Sequence, residues 1–335
     1  MKKLLTTCLI VITNVIALSA QSSTVGTAGA QFLKIQAGAR GAAMKGAFVA
    51  VTDDANSLFW NPAGISQITN QTINFSNIQW WADISVNQFA FAKTISGLGT
   101  FGFSVMNVAV PEQEVTTVDD PDGTGRFFDA SDLMLGLSYS RFLTAEFSFG
   151  LNAKYINQRI WNTSASTIAF DLGTQYKFGF NDVVLGMAIR NFGTDMLMDG
   201  EDLATFEDRS SVDFPSRRPR QKLETLAYPI PLNFQVGIAG KPFQTQNYYW
   251  LVSADIMNPS DNNEQISFGS ELAFLTQFSE VFLRGGYVLN NPEESWAAGL
   301  GTRIKLTNVN AVVDFSYSEH KYLSAIQRIT FTLEF

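Results

Sequence analysis

Few side chains in this sequence are spaced for chemistry, and those that come nearest fall short of it. Gly102-Phe103-Ser104-Val105-Met106 approaches the sharp turn that presents a nucleophilic serine, but the closing glycine is missing and the segment reads as mid-strand. A catalytic serine also needs a base positioned beside it. His320 is the single histidine, between Glu319 and Lys321 in an expected loop. One histidine makes neither a triad nor a metal site. Asp119-Asp120-Pro121-Asp122-Gly123-Thr124-Gly125 has oxygen donors at calcium-like intervals, yet Val118 occupies the first ligand position, so the run reads as a solvated acidic turn. Cys8 is the single cysteine and lies in an apolar leader, without the Leu-x-Gly that precedes a lipidated cysteine. The residues point to no enzyme, no metal and no cofactor.

What remains is polar and charged groups held to one side of strands. Lys154, Asp171, Gln175, Arg190, Gln235, Asp255, Glu271, Arg284, Arg303, Lys305 and Asp314 fall in phase with the polar positions of alternating segments. The opposite phase carries Leu133, Leu135, Leu137 and Tyr139, then Phe147, Phe149, Leu151 and Tyr155. Further on it carries Ile168, Phe170, Leu172 and Tyr176, and Val309, Ala311, Val313, Phe315 and Tyr317. A period of two puts such sets on opposite faces of a strand. The last segment shows this most plainly: Ile329, Phe331, Leu333 and Phe335 alternate with Thr330, Thr332 and Glu334. No helical pattern offers these apolar faces a partner, so the alternation predicts an all-β, transmembrane antiparallel barrel with its apolar face in lipid and its polar face in the lumen. Charge facing lipid at mid-depth would cost about 2–4 kcal/mol per Arg or Lys, whereas inside it is tolerated.

About fourteen strands are expected, the even number that bacterial single-chain barrels require. They span 71–81, 84–94, 97–109, 131–142, 146–157, 167–178, 182–192, 230–241, 247–257, 265–275, 280–289, 295–306, 309–318 and 325–335. Among the connections taken in order, the long ones, 110–130 and 193–229, fall at odd positions. The short turns Leu143–Ala145, Gly179–Asn181 and Thr307–Asn308 fall at even ones. Outer-membrane barrels have short periplasmic turns and longer outside loops, so this parity fits the topology and predicts both termini in the periplasm.

The start of the chain agrees. Lys2 and Lys3 precede an uncharged run from Leu4 to Leu18, followed by Ser19 and Ala20, which is the order of a cleaved secretory signal over residues 1–20. Nothing later supplies about 18 consecutive apolar residues for a membrane-spanning helix. Removing Lys2 and Lys3 takes the formal charge from −8 to −10. That balance leaves no basic surface for nucleic acid.

Residues 21–69 read differently from the rest and predict a hatch of short helices inside the barrel of 70–335. Gly and Ala dominate from Gly29 to Gly46, which permits close backbone approach; Asp53 or Asp54 suits a helix N-terminus, and Pro62 with Gly64 suits its end. Phe48, Leu58, Phe59, Trp60 and Ile65 are too apolar for a leader left in solvent. The loop from Gly193 to Pro229 begins acidic, with Asp195, Asp199, Glu201 and Asp202, and turns basic at Arg217, Arg218, Arg220 and Lys222. Those four basic residues suit lipopolysaccharide phosphates or the acidic face of a partner. Pairing between the loop's own halves suits them equally.

Gly38-Ala39-Arg40-Gly41-Ala42-Ala43-Met44, Gly46-Ala47-Phe48-Val49-Ala50-Val51, Asp53-Asp54-Ala55-Asn56 and Phe59-Trp60-Asn61-Pro62-Ala63-Gly64 resemble the N-terminal hatch of the PorV/PorQ family of Bacteroidota. That family is similar in fold to the FadL long-chain fatty-acid transporters. Asp53, Asp54, Asn61, Pro62, Ala63 and Gly64 carry the motif, and Lys45 departs from it where glycine is expected. Phe331, Leu333 and terminal Phe335 resemble the signal read by the barrel-insertion machinery. The resemblance implies a sealed outer-membrane barrel that serves type IX protein secretion by docking secreted cargo or translocon subunits. A FadL-like member would instead pass hydrophobic molecules through the hatch and out through the wall near Gly97, Gly99 and Gly102.

Overall fold

The computed structural model describes residues 25–206, 220–291 and 293–335. The expected leader, Cys8 within it, and Arg217 and Arg218 lie outside the described residues. The chain forms a closed, fourteen-stranded antiparallel barrel. Its strands are β1 (Gln71–Gln79), β2 (Ser85–Ile95), β3 (Gly99–Glu114), β4 (Phe127–Phe142), β5 (Phe147–Ile160), β6 (Thr163–Lys177) and β7 (Val184–Gly193). After the long loop come β8 (Asn233–Gln244), β9 (Tyr248–Pro259), β10 (Gln265–Leu275), β11 (Ser279–Leu289), β12 (Trp296–Lys305), β13 (Asn310–Ser318) and β14 (Ile326–Glu334). Each strand pairs with its neighbour in sequence, and β1 closes on β14 from Thr72↔Glu334 to Gln79↔Gln327. Closure leaves no sheet edge, which hydrocarbon would not tolerate.

The faces follow the alternation. Ile168, Phe170, Leu172 and Tyr176 are exposed on the outer wall of β6, and Ile329, Phe331 and Leu333 on β14. Asp171, Gln175, Gln235, Asp255, Glu271, Arg284, Asp314, Thr330 and Thr332 are buried inside. Strands β3 to β6 run past their expected outer ends, so the first long loop contracts from 110–130 to 115–126. No helix among the described residues is long and apolar enough to cross a membrane.

The lumen is filled by the chain that precedes β1. Its helical turns are Gln31–Lys34, α1 (Ala39–Ala43), α2 (Ser57–Trp60) and Pro62–Gln67. Every residue of α1 is buried, which only Gly and Ala around Arg40 permit at this proximity to the wall. Wall glycines complete the fit: a β-carbon at Gly150 would run into the Pro62–Ala63 backbone, and one at Gly286 into the Met44–Lys45 backbone. Apolar clusters gather Phe48, Trp60 and Met44 at mid-lumen, and Leu58 and Ile65 against Ala90 and Ala92 of β2.

Two local expectations fail. Neither Asp53 nor Asp54 caps α2: Asp53 accepts from Arg40, while Asp54 Oδ1 accepts the Asn56 N–H just ahead of the helix. Nor does Pro62 with Gly64 end α2. Pro62 opens the next helical turn instead, where the Asn61 side chain accepts the Ala63 N–H. A proline at the first helical position sacrifices no backbone bond. The described N-terminal residues also correct the expected topology. Gly26 N–H donates to Asp261 and Gly29 N–H to Pro229, both in loops at the long-loop end, so the segment enters the barrel there and descends to β1 at the short-turn end.

Candidate functional site

Two features of the lumen bear on function: how the hatch is held, and what space is left above it. The hatch is held by wall side chains that reach its backbone. Asp255 of β9 accepts the N–H groups of Phe48 and Val49, both at 2.9 Å, and Gln235 of β8 donates to the Gly46 carbonyl at 2.9 Å. Gln175 donates to Thr52 O at 3.0 Å and Thr330 accepts Ala39 N–H at 2.9 Å, while from the hatch side Asn61 Nδ2 donates to the Thr174 carbonyl of β6 at 3.1 Å. A short irregular segment exposes many unpaired backbone groups, and a buried one must be satisfied by its surroundings.

A charged lock sits at the short-turn side. Arg40 Nε donates to Glu271 Oε2 at 2.8 Å and its Nη2 to Oε1 at 3.1 Å, while its Nη1 reaches Asp53 at 2.6 Å. Arg284 donates to the same Glu271 at 2.6 Å and to Asp314 at 2.5 Å, and the Tyr249 hydroxyl donates to Glu271 at 2.9 Å. Two guanidinium groups and a phenol thus converge on one carboxylate, and Arg40 is the only one of the three that belongs to the hatch. Beside it Asp54, outside the strands, is pushed up to about 6, because burial disfavours its charge and Asp53 lies next to it. A second charged contact, Lys45 Nζ to Glu294 at 2.7 Å, ties the hatch to the loop between β11 and β12. Lys45 holds φ of +53°, a left-handed conformation, which explains why glycine is expected there.

The wall near Gly97, Gly99 and Gly102 has no gap. The β3–β4 ladder is continuous from Thr100↔Ser140 to Val110↔Ala130, and Gly97 lies in the turn before β3. A β-carbon at Gly102 would stand 2.5 Å from Leu58 and 3.4 Å from Ile65, so the hatch stops the wall there from inside.

Above the hatch a chamber of about 520 Å³ opens under the long-loop end. Its floor includes Gln36, Lys45, Phe59 and Trp60; its sides include Arg190, Asn233 and Arg328; its roof includes Trp80, Trp81, His320 and Leu323. Trp81 Nε1 donates to Ser324 O at 2.7 Å and its ring meets His320 edge-on at 4.6 Å. His320 Nδ1 accepts the N–H groups of Tyr322 and Leu323, so it braces its own loop. Ser104 lies within β3, as a strand serine, with its hydroxyl buried.

Of the basic loop residues, Lys222 pairs with Asp199, joining the loop's two halves. The loop also carries a small hairpin, Ala204–Phe206 against Arg220–Lys222, and a bridge of Met196 to Tyr228, rather than being structureless. Arg40, Tyr249 and Arg328 were not singled out as site residues from the sequence. Arg40 had a signal, as a lone charge in a Gly/Ala run, and Arg328 shares the inward phase of Thr330 and Thr332.

Solved structures resemble this barrel in fold. The Ralstonia pickettii toluene transporter TbuX aligns with a TM-score of 0.55 at 11% identity, covering 89% of this chain and 97% of that one. The Pseudomonas putida toluene transporter TodX aligns with a TM-score of 0.53 at 12% identity, covering 89% and 96%. A Pseudomonas aeruginosa FadL homologue does so with a TM-score of 0.53 at 12% identity, covering 88% and 97%. No curated protein matches the chain. The model of the family described as Uncharacterised protein family (UPF0164) matches residues 11–333, nearly the whole length, and the chain belongs to that family.

Proposed function

We propose that this protein is a sealed, non-enzymatic outer-membrane barrel that docks secreted proteins or subunits of a type IX secretion machinery at its long-loop end, after export by a cleaved signal. One observation carries this reading: the hatch is bonded to the wall around its circumference and stops the wall at Gly102, so the lumen offers a platform rather than a passage. Exposed apolar groups on the loops, among them Leu197, Leu223, Leu226 and Tyr322, supply contact surface for a partner. The outer leaflet, with its lipopolysaccharide, surrounds that end.

A second reading is a FadL-like transporter of hydrophobic small molecules, favoured by the apolar parts of the chamber and by the names of the toluene transporters that share the fold. Purification of the tagged protein from its native membrane, with identification of what accompanies it, separates the two. Replacing Arg217, Arg218, Arg220 and Lys222 together with Ser is expected to reduce partner recovery while leaving the barrel folded, since rim charges act mainly on association. Full recovery by that variant, together with uptake of toluene or a fatty acid that depends on the hatch, would favour the transporter.

A further inference from the structure

We infer, resting on the docking reading above, that the chamber over the hatch is a receptor for a peptide segment, with Arg328 taking the carboxylate at its end. Arg328 is 2% exposed, its Nη1 donates to Ser318 Oγ at 3.0 Å, and its Nε has no partner. No carboxylate forms a salt bridge with it among the described residues. Glu294 lies near enough for its charge to act on Arg328, but it makes its ion pair with Lys45, at 2.7 Å. A buried guanidinium with no direct ion pair among the described residues is costly, and an arriving anion would offset that cost. Its planar fork suits a carboxylate in particular.

The remainder of the lining decides what the carboxylate is attached to. Three further chamber residues carry buried polar atoms with no partner: Arg190 Nε, Gln36 Oε1 and Asn233 Oδ1. These are one donor and two acceptors. An alkyl chain filling the chamber would leave all three orphaned, and buried polar groups are expensive to leave unpaired. A peptide supplies the missing complement, an N–H for each amide oxygen and a C=O for the guanidinium. The tilted Trp80–Trp81 pair, with ring centroids 4.5 Å apart, gives the segment's side chains an apolar face at the mouth. A volume of about 520 Å³ is too small for a folded domain and suits a few residues of extended chain.

The test uses the full protein in lipid nanodiscs and two pools of random hexapeptides, one with free C-terminal carboxylates and one amidated, with bound peptides identified by mass spectrometry. The carboxylate pool is expected to be enriched about tenfold or more over the amidated pool, as suits a charged hydrogen bond. Arg328→Met is expected to abolish that preference and Arg328→Lys to retain part of it, each variant first shown to keep its heat-modifiable mobility. Should Arg328→Met fail to assemble, quenching of tryptophan fluorescence by the enriched peptides in the unaltered protein, absent for their amides, provides the same evidence. Equal enrichment of both pools, or none, overturns the proposal, as does displacement of the peptides by dodecanoate at equal concentration. Failure here, with native partners still recovered in a manner that depends on the 193–229 loop, removes the chamber receptor and leaves docking intact. Loss of all partners removes docking itself.

Discussion

Glu271 is the residue on which the hatch and the wall depend most directly. It is fully buried and accepts from Arg40, Arg284 and Tyr249. Removing one member of such a network strands the others, which costs about 3–5 kcal/mol. Glu271→Gln keeps the shape and deletes the charge. It is expected to lower the temperature at which the barrel shifts its electrophoretic mobility in detergent, and to raise background conductance as Arg40 is released. An unchanged mobility transition would show that the hydrogen bonds to the hatch backbone suffice without the lock. Lys45 shows that a residue can meet a backbone requirement poorly and still be retained: a positive φ disfavours any side chain, yet this one reaches Glu294 in a loop.

At the scale of elements, the hatch is held less by its own secondary structure than by the barrel. α1 and α2 have five and four residues, too short to persist alone. Deleting residues 38–64 is therefore expected to leave strand pairing intact while raising single-channel conductance in planar bilayers sharply. If the intact protein already conducts as an open porin does, the packing described for the hatch is wrong. The bulge between β6 and β7, at Phe170/Leu172, shortens β7 and lets the outer end of β6 take Asp199–Gly200 as its neighbour instead. This anchors the first part of the long loop to the wall and leaves its basic part farther along the chain.

For the whole molecule, the threading of the chain sets which groups each compartment meets. Val25 stands at the long-loop end, on the segment bonded to Asp261 and Pro229, and is exposed. Gln277 is exposed in the short turn between β10 and β11. Val25→Cys is expected to react with a membrane-impermeant maleimide on intact cells, and Gln277→Cys only after the outer membrane is permeabilised. The reverse pattern would invert the barrel, and labelling of neither on intact cells would place the N-terminal segment on the periplasmic side.

The alternation of period two is a property of neighbouring residues, so the sequence by itself determined the fourteen strands, their two faces and the inward placement of Asp171, Asp255, Glu271, Arg284 and Asp314. The small-residue run likewise marked the chain that fills the lumen. Partnerships were another matter. Arg40 and Glu271 lie 231 residues apart, and Ala39 and Thr330 lie 291 apart. Their meeting depends on closure of β1 on β14 and on the depth to which the hatch descends, neither of which any local pattern encodes. The same holds for Asp53, whose helix-capping chemistry is overridden by a guanidinium brought to it by tertiary packing, and for the N-terminal entry at the long-loop end. That Arg328 Nε has no partner, and the side chain no direct ion pair among the described residues, is likewise visible only in the fold, because it depends on every surrounding strand at once.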